Sequence, residues 1–254
     1  MSVLDTFRLD GQVAIVTGAS RGLGAAMALA LAEAGADVAL VARGSCASVS
    51  SAIAALDRAS LSINADLADR TAPTRILDAT LTRFGKADIL VNNAGIIRRA
   101  NALEYSDEDW DAVLDVNLRS VFVLSRAFAN ALVHRASGGG IINIASMLSF
   151  QGGIRVPAYT AAKSGLAGLT KALANELAPL GINVNAIAPG YMATENTEAL
   201  RTDPTRSRDI LARIPAARWG TPEDLMGAVV FLASPASAYV HGTTLTVDGG
   251  WMGR

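Results

Sequence analysis

Three side chains between Ser146 and Lys163 have the types and spacing needed to move a proton. Tyr159 and Lys163 stand four residues apart at the start of a strongly helical run, so both lie on one face of that helix. A free tyrosine has a pKa of about 10, and a nearby ammonium stabilises the phenolate and lowers that pKa. Ser146 ends an apolar run and can hydrogen-bond a substrate oxygen. We therefore expect Tyr159 to be an acid/base tuned by Lys163.

The composition excludes several classes of protein. The chain has 254 residues, 51% of them hydrophobic, and a formal charge of −1 from 22 basic and 23 acidic residues. It shows no basic stripe for nucleic acid. Cys46 is the only cysteine, and His134 and His241 are the only histidines. We therefore expect no disulfide framework and no metal site.

The start of the chain lacks the apolar core of a signal peptide, and no apolar run is long enough to span a bilayer. We expect a cytoplasmic protein with no membrane partner. A chain of this length forms one large α/β domain or two small ones. No linker or shift in composition divides it, which favours a single domain over residues 1–254.

Short apolar runs alternate with alanine-rich helical stretches along the whole chain. Most of the apolar runs are hydrophobic throughout, which is typical of strands buried on both faces of a parallel sheet. The pattern predicts an α/β fold: a Rossmann-type, doubly wound parallel sheet of seven strands flanked by helices on both faces. The predicted strands are Val13–Thr17, Asp37–Ala42, Leu61–Asn64, Asp88–Asn92, Gly140–Ser146, Asn183–Ala188 and Thr243–Val247.

Two of the predicted helices begin with recognisable signals. Ser106 to Asp109 has the form of a capping box, and Thr221 is followed by proline at the first helical position. The segment of about residues 189–220, which we call the substrate loop, shows no strand signal, and we expect an irregular lid. The predicted helices are Leu23–Ala34, Ser48–Ala59, Thr71–Arg83, Asp107–His134, Ala158–Ala178 and Pro222–Leu232.

The first predicted strand runs directly into a glycine-rich turn and then a helix. The turn has the spacing Gly-x-x-x-Gly-x-Gly, which permits a tight bend and a close approach of a diphosphate to the backbone. The helix N-terminus adds N–H groups and a partial positive charge. We expect this turn to bind a dinucleotide through Thr17, Gly18, Ser20, Arg21, Gly22, Leu23 and Gly24.

Residues at the end of the second predicted strand help to choose between NAD(H) and NADP(H). An acidic side chain there binds the ribose hydroxyls, but this chain has Ala42 and Arg43. Arg43 can pair with a 2′-phosphate through its planar fork, and Arg21 can assist. The pattern favours NADP(H) and leaves NAD(H) open, since both arginines can also be simply solvated. Asp66 can accept from the adenine amino group or can act as a turn residue.

Seven short pieces in family order resemble the short-chain dehydrogenase/reductase family over the whole chain. They are Gly18–Gly24, Asn92–Gly95, Asn117, Ser146, Tyr159, Lys163 and Pro189–Gly190. The resemblance implies an NAD(P)-dependent oxidoreductase with a catalytic tetrad of Asn117, Ser146, Tyr159 and Lys163. It also implies a homotetramer. The cofactor-binding set under this resemblance adds Leu67, Asn93, Ala94, Gly95, Tyr159, Lys163, Pro189, Gly190, Met192 and Thr194.

The residue types fit that chemistry. Ser146 holds the substrate oxygen, and Tyr159 takes the hydroxyl proton in oxidation or donates it in reduction. Lys163 lowers the pKa of Tyr159 and hydrogen-bonds the nicotinamide ribose. Asn117 resembles the anchor of a water that relays protons from Lys163 to solvent, although a buried structural amide is also compatible with its position.

Several stretches resemble a branch of the family that acts on 3-deoxy sugar acids. This implies activity as a 2-dehydro-3-deoxy-D-gluconate 5-dehydrogenase or a 2-deoxy-D-gluconate 3-dehydrogenase, which the likeness does not separate. The sequence departs from the branch at Glu195, where we expect asparagine. The stretches are Ile141–Pro157, Asn92–Arg99, Ala188–Thr194 and Ile214–Gly220.

A sugar acid brings a carboxylate and several hydroxyls, and the chain offers matching groups near the sheet's carboxyl edge. Arg155 is our first candidate for gripping the carboxylate and Arg99 our second; either can instead be a surface residue. Gln151 and Tyr191, together with Ser146, complete the expected substrate set. The three tryptophans are expected in the core or an interface.

Two other functions remain open at this point. The first is reduction of a 3-oxoacyl group on an acyl-carrier protein, which needs a basic docking patch that the sequence does not show. The second is a non-catalytic dinucleotide-binding regulator, but such a protein has no need of Ser146, Tyr159 and Lys163 together.

Overall fold

The computed structural model describes residues 2–254 and is built on one seven-stranded sheet. All six neighbouring pairs of strands are parallel, in the order β3-β2-β1-β4-β5-β6-β7. This confirms the predicted seven-stranded, doubly wound sheet. The strands are β1 Val13–Thr17, β2 Asp37–Ala42, β3 Ser60–Asn64, β4 Ile89–Asn92, β5 Gly139–Ile144, β6 Ile182–Pro189 and β7 Thr244–Val247.

Helices cover both faces of the sheet, and the core is divided accordingly. Met27 and Val229 belong to the apolar layer on one face, whereas Ile76 and Phe128 belong to the layer on the other. No helix among residues 2–254 is long and apolar enough to cross a membrane. The α-helices are α1 Gly22–Glu33, α2 Ala47–Ala54, α3 Ala72–Phe84, α4 Asp107–Leu114, α5 Ser120–His134, α6 Pro157–Leu177, α7 Glu198–Thr202, α8 Pro204–Arg213 and α9 Met226–Ala233.

The strand order reverses between β1 and β4, which are neighbours in the sheet although two strands separate them in sequence. The chain first builds outward through β2 and β3, then returns to the other side of β1. In open parallel sheets, ligands bind in the crevice that this reversal leaves at the carboxyl ends of the strands. The loops that follow β1 and β4 therefore define where the site must lie.

The single helix predicted over 107–134 is wrong in one respect. The chain forms α4, then a π-helical turn at Asp115–Arg119, and then α5. A π turn fits one additional residue into a helix and commonly occurs at functional sites. Here it carries Asn117, whose side chain points at the loop after β4.

The substrate loop is also more regular than predicted. It contains the short 3₁₀-helix Glu195–Thr197 followed by α7 and α8. The Asp203 carboxylate accepts from the N–H groups of Thr205 and Arg206 at 3.0 Å each, and Pro204 occupies the first helical position. This N-cap signal is present in the sequence and explains why α8 begins there.

Candidate active site

The glycine turn after β1 has a shape that only glycine permits. Gly18 and Gly22 have φ angles of +68° and +55°, in the left-handed region. A Cβ atom on Gly24 would lie 2.1 Å from the carbonyl oxygen of Gly18, so no side chain fits there. The side of Gly22 is open, since a Cβ atom there would have Thr194 Cγ2 as its nearest neighbour, at 3.8 Å.

The loop after β4 is fastened to this turn. Thr17 Oγ1 accepts from the N–H groups of Asn93 and Ala94 at 3.0 Å each. Asn93 Nδ2 donates to the carbonyl of Thr17 at 2.9 Å. Two loops from neighbouring strands therefore form one rigid floor, and Gly95 follows directly against the Asn117 amide.

These residues fit the diphosphate of a dinucleotide. Helix α1 starts inside the turn and has 12 residues, and no side chain caps its first N–H groups. Free N–H groups at a helix N-terminus, next to an uncovered glycine, bind phosphate oxygens. A nicotinamide cofactor bound there would give or accept the hydride.

Two arginines near the cradle already face carboxylates. Arg21 Nη1 lies 2.6 Å from Glu195 Oε2, in the substrate loop. Arg43 Nη1, after β2, lies 3.8 Å from Asp66 Oδ2, after β3. Asp66 also accepts from the Ala68 N–H at 3.0 Å, as a turn residue does. Three further cofactor contacts are expected in these loops. Ser20 and Leu23 are half-buried, and Leu67 is buried.

Tyr159, Lys163 and Ser146 are brought together by β5 and α6. Ser146 follows β5, and its Oγ accepts from the Leu148 N–H at 3.2 Å. Lys163 is buried, and its Nζ donates to the carbonyl of Ile144 at 2.6 Å. The same Nζ lies 5.6 Å from the centre of the Tyr159 ring. The end of β5 therefore fixes both the hydroxyl and the amine beside the phenol.

The pKa values differ from the sequence expectation. Burial raises the pKa of Tyr159 above its ordinary value, while hydrogen bonding with Ser146 and the positive charge of Arg99 lower it. Burial lowers the pKa of Lys163 to about 8. Lys163 is not among the groups that lower the pKa of Tyr159 in this structure, so the expected effect of the lysine on the phenol stays a prediction.

Asn117 has both ends of its amide engaged. Its Oδ1 accepts from the Ile96 N–H and its Nδ2 donates to the Ile96 carbonyl, each at 2.8 Å. The side chain is fully buried. These two bonds hold the loop after β4 in place, so the amide itself acts by positioning that loop.

The two candidate substrate arginines follow neighbouring strands. Arg155 has a left-handed backbone, with φ of +65°, and its carbonyl accepts from the Ala100 N–H at 3.2 Å. Arg99 Nη2 donates to the carbonyl of Asn196 in the substrate loop at 3.2 Å. A non-glycine residue held in this conformation is costly and is often found at binding sites.

Tyr191 and Gln151 belong to an aromatic cluster beneath the substrate loop. The Tyr191 ring lies 5.6 Å from that of Trp219 and 4.7 Å from that of Trp251, between ring centres. Gln151 Oε1 accepts from the Trp251 indole N–H at 3.3 Å. Burial of Trp251 agrees with the expectation of a core position.

Sequence reasoning missed two cations at this cluster. Burial raises the pKa of Tyr191, and the charges of Arg206 and Arg213 oppose that rise. The Arg213 guanidinium also lies 4.0 Å from the centre of the Trp251 ring. Both arginines are in α8, and no motif marks them because the sequence pattern predicts an irregular segment there.

The two ends of the substrate loop are joined by backbone hydrogen bonds. Ala193 donates to the carbonyl of Gly220 at 2.7 Å, and Gly220 donates to that of Tyr191 at 2.9 Å. Gly190 donates to Val247 in β7 at 2.9 Å. The cofactor contacts expected in this segment thus lie where the loop leaves the sheet edge. They are Pro189, Gly190, Met192 and Thr194.

The comparisons with known proteins agree with this geometry. A family model described as Enoyl-(Acyl carrier protein) reductase, adh_short_C2, matches residues 18–252. The chain belongs to the short-chain dehydrogenase/reductase family. Membership makes it an NAD(P)-dependent oxidoreductase, as the sequence predicted.

Named relatives cover almost the whole chain. The 2-dehydro-3-deoxy-D-gluconate 5-dehydrogenase of Escherichia coli is 56% identical, covering 99% of this chain and 100% of the relative. The enzyme of the same name from Dickeya dadantii is 54% identical, with the same coverage. A crystal structure of a putative 2-deoxy-D-gluconate 3-dehydrogenase from Agrobacterium tumefaciens with bound NADP is 55% identical, has a TM-score of 0.93, and covers 98% of this chain and 99% of that one.

Proposed function

We propose that the protein interconverts a secondary alcohol and a ketone on a deoxy sugar acid, as a 2-dehydro-3-deoxy-D-gluconate 5-dehydrogenase or a 2-deoxy-D-gluconate 3-dehydrogenase. The observation that carries the proposal is a pair of arginines brought together at the site: the Ala100 N–H donates to the Arg155 carbonyl at 3.2 Å, which places Arg155 next to the segment that carries Arg99. A guanidinium in the substrate pocket suits a substrate that carries a carboxylate. The names of the relatives at 54–56% identity support the same substrate class.

Each catalytic side chain has a defined task in this proposal. In oxidation, Ser146 holds the substrate oxygen and Tyr159 removes the hydroxyl proton; in reduction Tyr159 returns it. Lys163, fixed by the carbonyl of Ile144, lies next to the phenol and hydrogen-bonds the nicotinamide ribose. Asn117 holds the loop after β4 so that these groups stay aligned.

The remaining cofactor contacts are the glycine turn and the loops after β2, β3, β4 and β6. NADP(H) is the preferred cofactor in this proposal, because Arg21 lies in the glycine turn and Arg43 follows β2, where an arginine in this fold accommodates the 2′-phosphate. An arginine fork matches the geometry of a phosphate. The bound NADP in the Agrobacterium tumefaciens relative supports this preference.

The proposed assembly is a homotetramer. A groove between α4, α5 and α6 is lined by the apolar residues Leu114, Leu118, Phe122 and Leu169 and by the charged residues Arg70, Asp111, Asp115 and Arg119, and Phe122 and Trp110 are exposed. Apolar patches of this kind mark contact surfaces. Light scattering during size-exclusion chromatography should give four times the mass of 26.2 kDa; a monomeric mass would contradict the assembly.

Reduction of a 3-oxoacyl group on an acyl-carrier protein is the second candidate, because a Synechocystis relative named 3-oxoacyl-[acyl-carrier-protein] reductase is 44% identical and covers 95% of this chain. The two functions make opposite demands on the site. A sugar acid needs a cation in the substrate pocket to bind its carboxylate, whereas a carrier protein needs a basic outer surface for docking.

A substrate panel with both cofactors separates them. The purified protein should oxidise or reduce deoxy sugar acids far faster than acetoacetyl-coenzyme A. Tyr239→Phe, which alters an exposed tyrosine, serves as the control for Tyr159→Phe. Activity on acetoacetyl-coenzyme A alone would favour the second candidate, and no activity on any ketone or alcohol would overturn the proposal.

A further inference from the structure

We propose that Glu195 and the 2′-phosphate of NADP(H) compete for Arg21, so that Glu195 limits the preference of the enzyme for NADP(H) over NAD(H). This inference rests on the function proposed above, since it needs the cofactor to lie in the glycine cradle. It assigns a specificity-determining role to a residue of the substrate loop.

The contact itself is short and open to exchange. Arg21 Nη1 lies 2.6 Å from Glu195 Oε2, and the two side chains are 72% and 62% exposed. An ion pair in this setting is only weakly stabilising, because water solvates both charges when they separate. A phosphate can therefore replace the carboxylate on the guanidinium without a large penalty.

Neighbouring contacts keep Glu195 at the cradle. Thr194 is the nearest residue to the open side of Gly22. Asn196 accepts from Arg99 at 3.2 Å, and Thr197 Oγ1 donates to the carbonyl of Thr194 at 3.0 Å. Glu195 is thus held between the glycine turn and the loop after β4.

The charges explain why this carboxylate affects one cofactor more than the other. Arg43 has a carboxylate partner too, in Asp66, so the four side chains sum to zero charge. A phosphomonoester adds about −1.5 to −2 charge near neutral pH. Glu195 therefore repels the 2′-phosphate and occupies its cation, whereas NAD(H) lacks this phosphate.

Glu198 provides a matched control. It lies in the same loop, three residues on, is exposed, and forms none of the ion pairs found among residues 2–254. Replacing either glutamate with glutamine removes one negative charge from the loop. Only the change at residue 195 frees Arg21.

The test is the dissociation constant of NADPH and of NADH, measured by fluorescence titration without substrate. In Glu195→Gln, the ratio of the NADH constant to the NADPH constant should rise about two- to fivefold, the range expected for an exposed ion pair. Glu198→Gln should leave the ratio unchanged. In an Arg21→Gln background, Glu195→Gln should raise this ratio only slightly, because only the repulsion between Glu195 and the 2′-phosphate is then lost. A double-mutant cycle of the two substitutions measures this difference.

The outcomes separate this inference from the proposed function. An unchanged ratio in Glu195→Gln, or an equal change in the Arg21→Gln background, would overturn the competition while leaving the enzyme intact. If the unsubstituted protein binds neither dinucleotide, the cofactor cradle itself fails.

Discussion

The Nζ of Lys163 lies 5.6 Å from the centre of the Tyr159 ring. The lysine is buried and donates to the carbonyl of Ile144, and burial lowers its pKa to about 8. A lysine with this pKa is partly neutral in mildly alkaline solution. The charge of Arg99 also lowers the pKa of the phenol.

Stability should depend on pH through Lys163. Its pKa falls from the 10.5 of a solvated lysine to about 8 in the folded protein, so the unfolded chain binds more protons between those two values. The burial penalty is present below pH 8 and disappears as the pH rises toward 10.5. We expect the unfolding free energy of the unsubstituted protein, relative to Lys163→Met, to rise over this window by up to about 3 kcal/mol.

Urea denaturation at a series of pH values measures this difference. Lys171→Met is the control, because Lys171 lies on the same helix and is exposed. The difference in unfolding free energy between Lys171→Met and the unsubstituted protein should change less over the window than that for Lys163→Met. A flat difference for Lys163→Met would show that burial does not set the lysine pKa.

Tyr159→Phe should strongly reduce turnover without loss of cofactor binding. The substitution removes only the hydroxyl, and general acid–base catalysis contributes about 10²- to 10⁴-fold. Steady-state assays should show at least about a 100-fold fall in kcat, whereas fluorescence titration should give nearly unchanged affinity for the dinucleotide. The expected fall in kcat is at least ~10²-fold. A kcat for Tyr159→Phe that stays within about threefold of the unsubstituted protein would therefore exclude Tyr159 as the acid/base.

The sequence was sufficient for the sheet because its signals are local. Seven apolar runs, each bounded by turn residues, are enough to place seven strands. Gly18 and Gly24 lie where the tight turn leaves no room for a side chain, and Gly22 has a left-handed φ angle. The pairing of β1 with β4 also follows from the general rules of doubly wound folds.

The features that the sequence did not show depend on contacts between distant residues. The π turn at Asn117 becomes useful only because Ile96 lies opposite it. The pairing of Arg21 with Glu195 joins segments 174 positions apart in the numbering. No periodicity encodes such contacts, and the pKa of Tyr159 depends on burial that only the fold creates.

Gly24→Ala should collapse the cofactor cradle. The new Cβ would lie 2.1 Å from the Gly18 carbonyl oxygen and 2.5 Å from Asn93 Nδ2, so the turn or the loop after β4 must move. We expect a lower Tm, from a cost of about 1–3 kcal/mol, and loss of dinucleotide binding in a titration. Gly44→Ala, which meets nothing within 4 Å, should change neither; an equal effect of both substitutions would contradict a specific role for Gly24.

Arg155→Gly should weaken binding of the sugar acid while leaving the fold intact. Arg155 has a φ of +65°, which glycine adopts without strain, so the unfolding free energy should not fall. Loss of a charge-assisted hydrogen bond of about 1.5–3 kcal/mol should raise KM for the acid by about 10- to 150-fold. A neutral ketone substrate, which lacks the carboxylate, should show no such rise.

Arg99→Met distinguishes the two arginines. Because the charge of Arg99 lowers the pKa of Tyr159, its removal should shift the alkaline limb of the kcat profile for ketone reduction, in which the phenol must be protonated, to higher pH. Arg155 has no such influence on the phenol, so Arg155→Gly should leave the profile in place. If Arg155→Gly changed neither the KM for the acid nor the ratio of that KM to the KM for the neutral ketone, the carboxylate would have to be bound elsewhere. Arg206 and Arg213, which lie beside Tyr191, would then be the next residues to substitute.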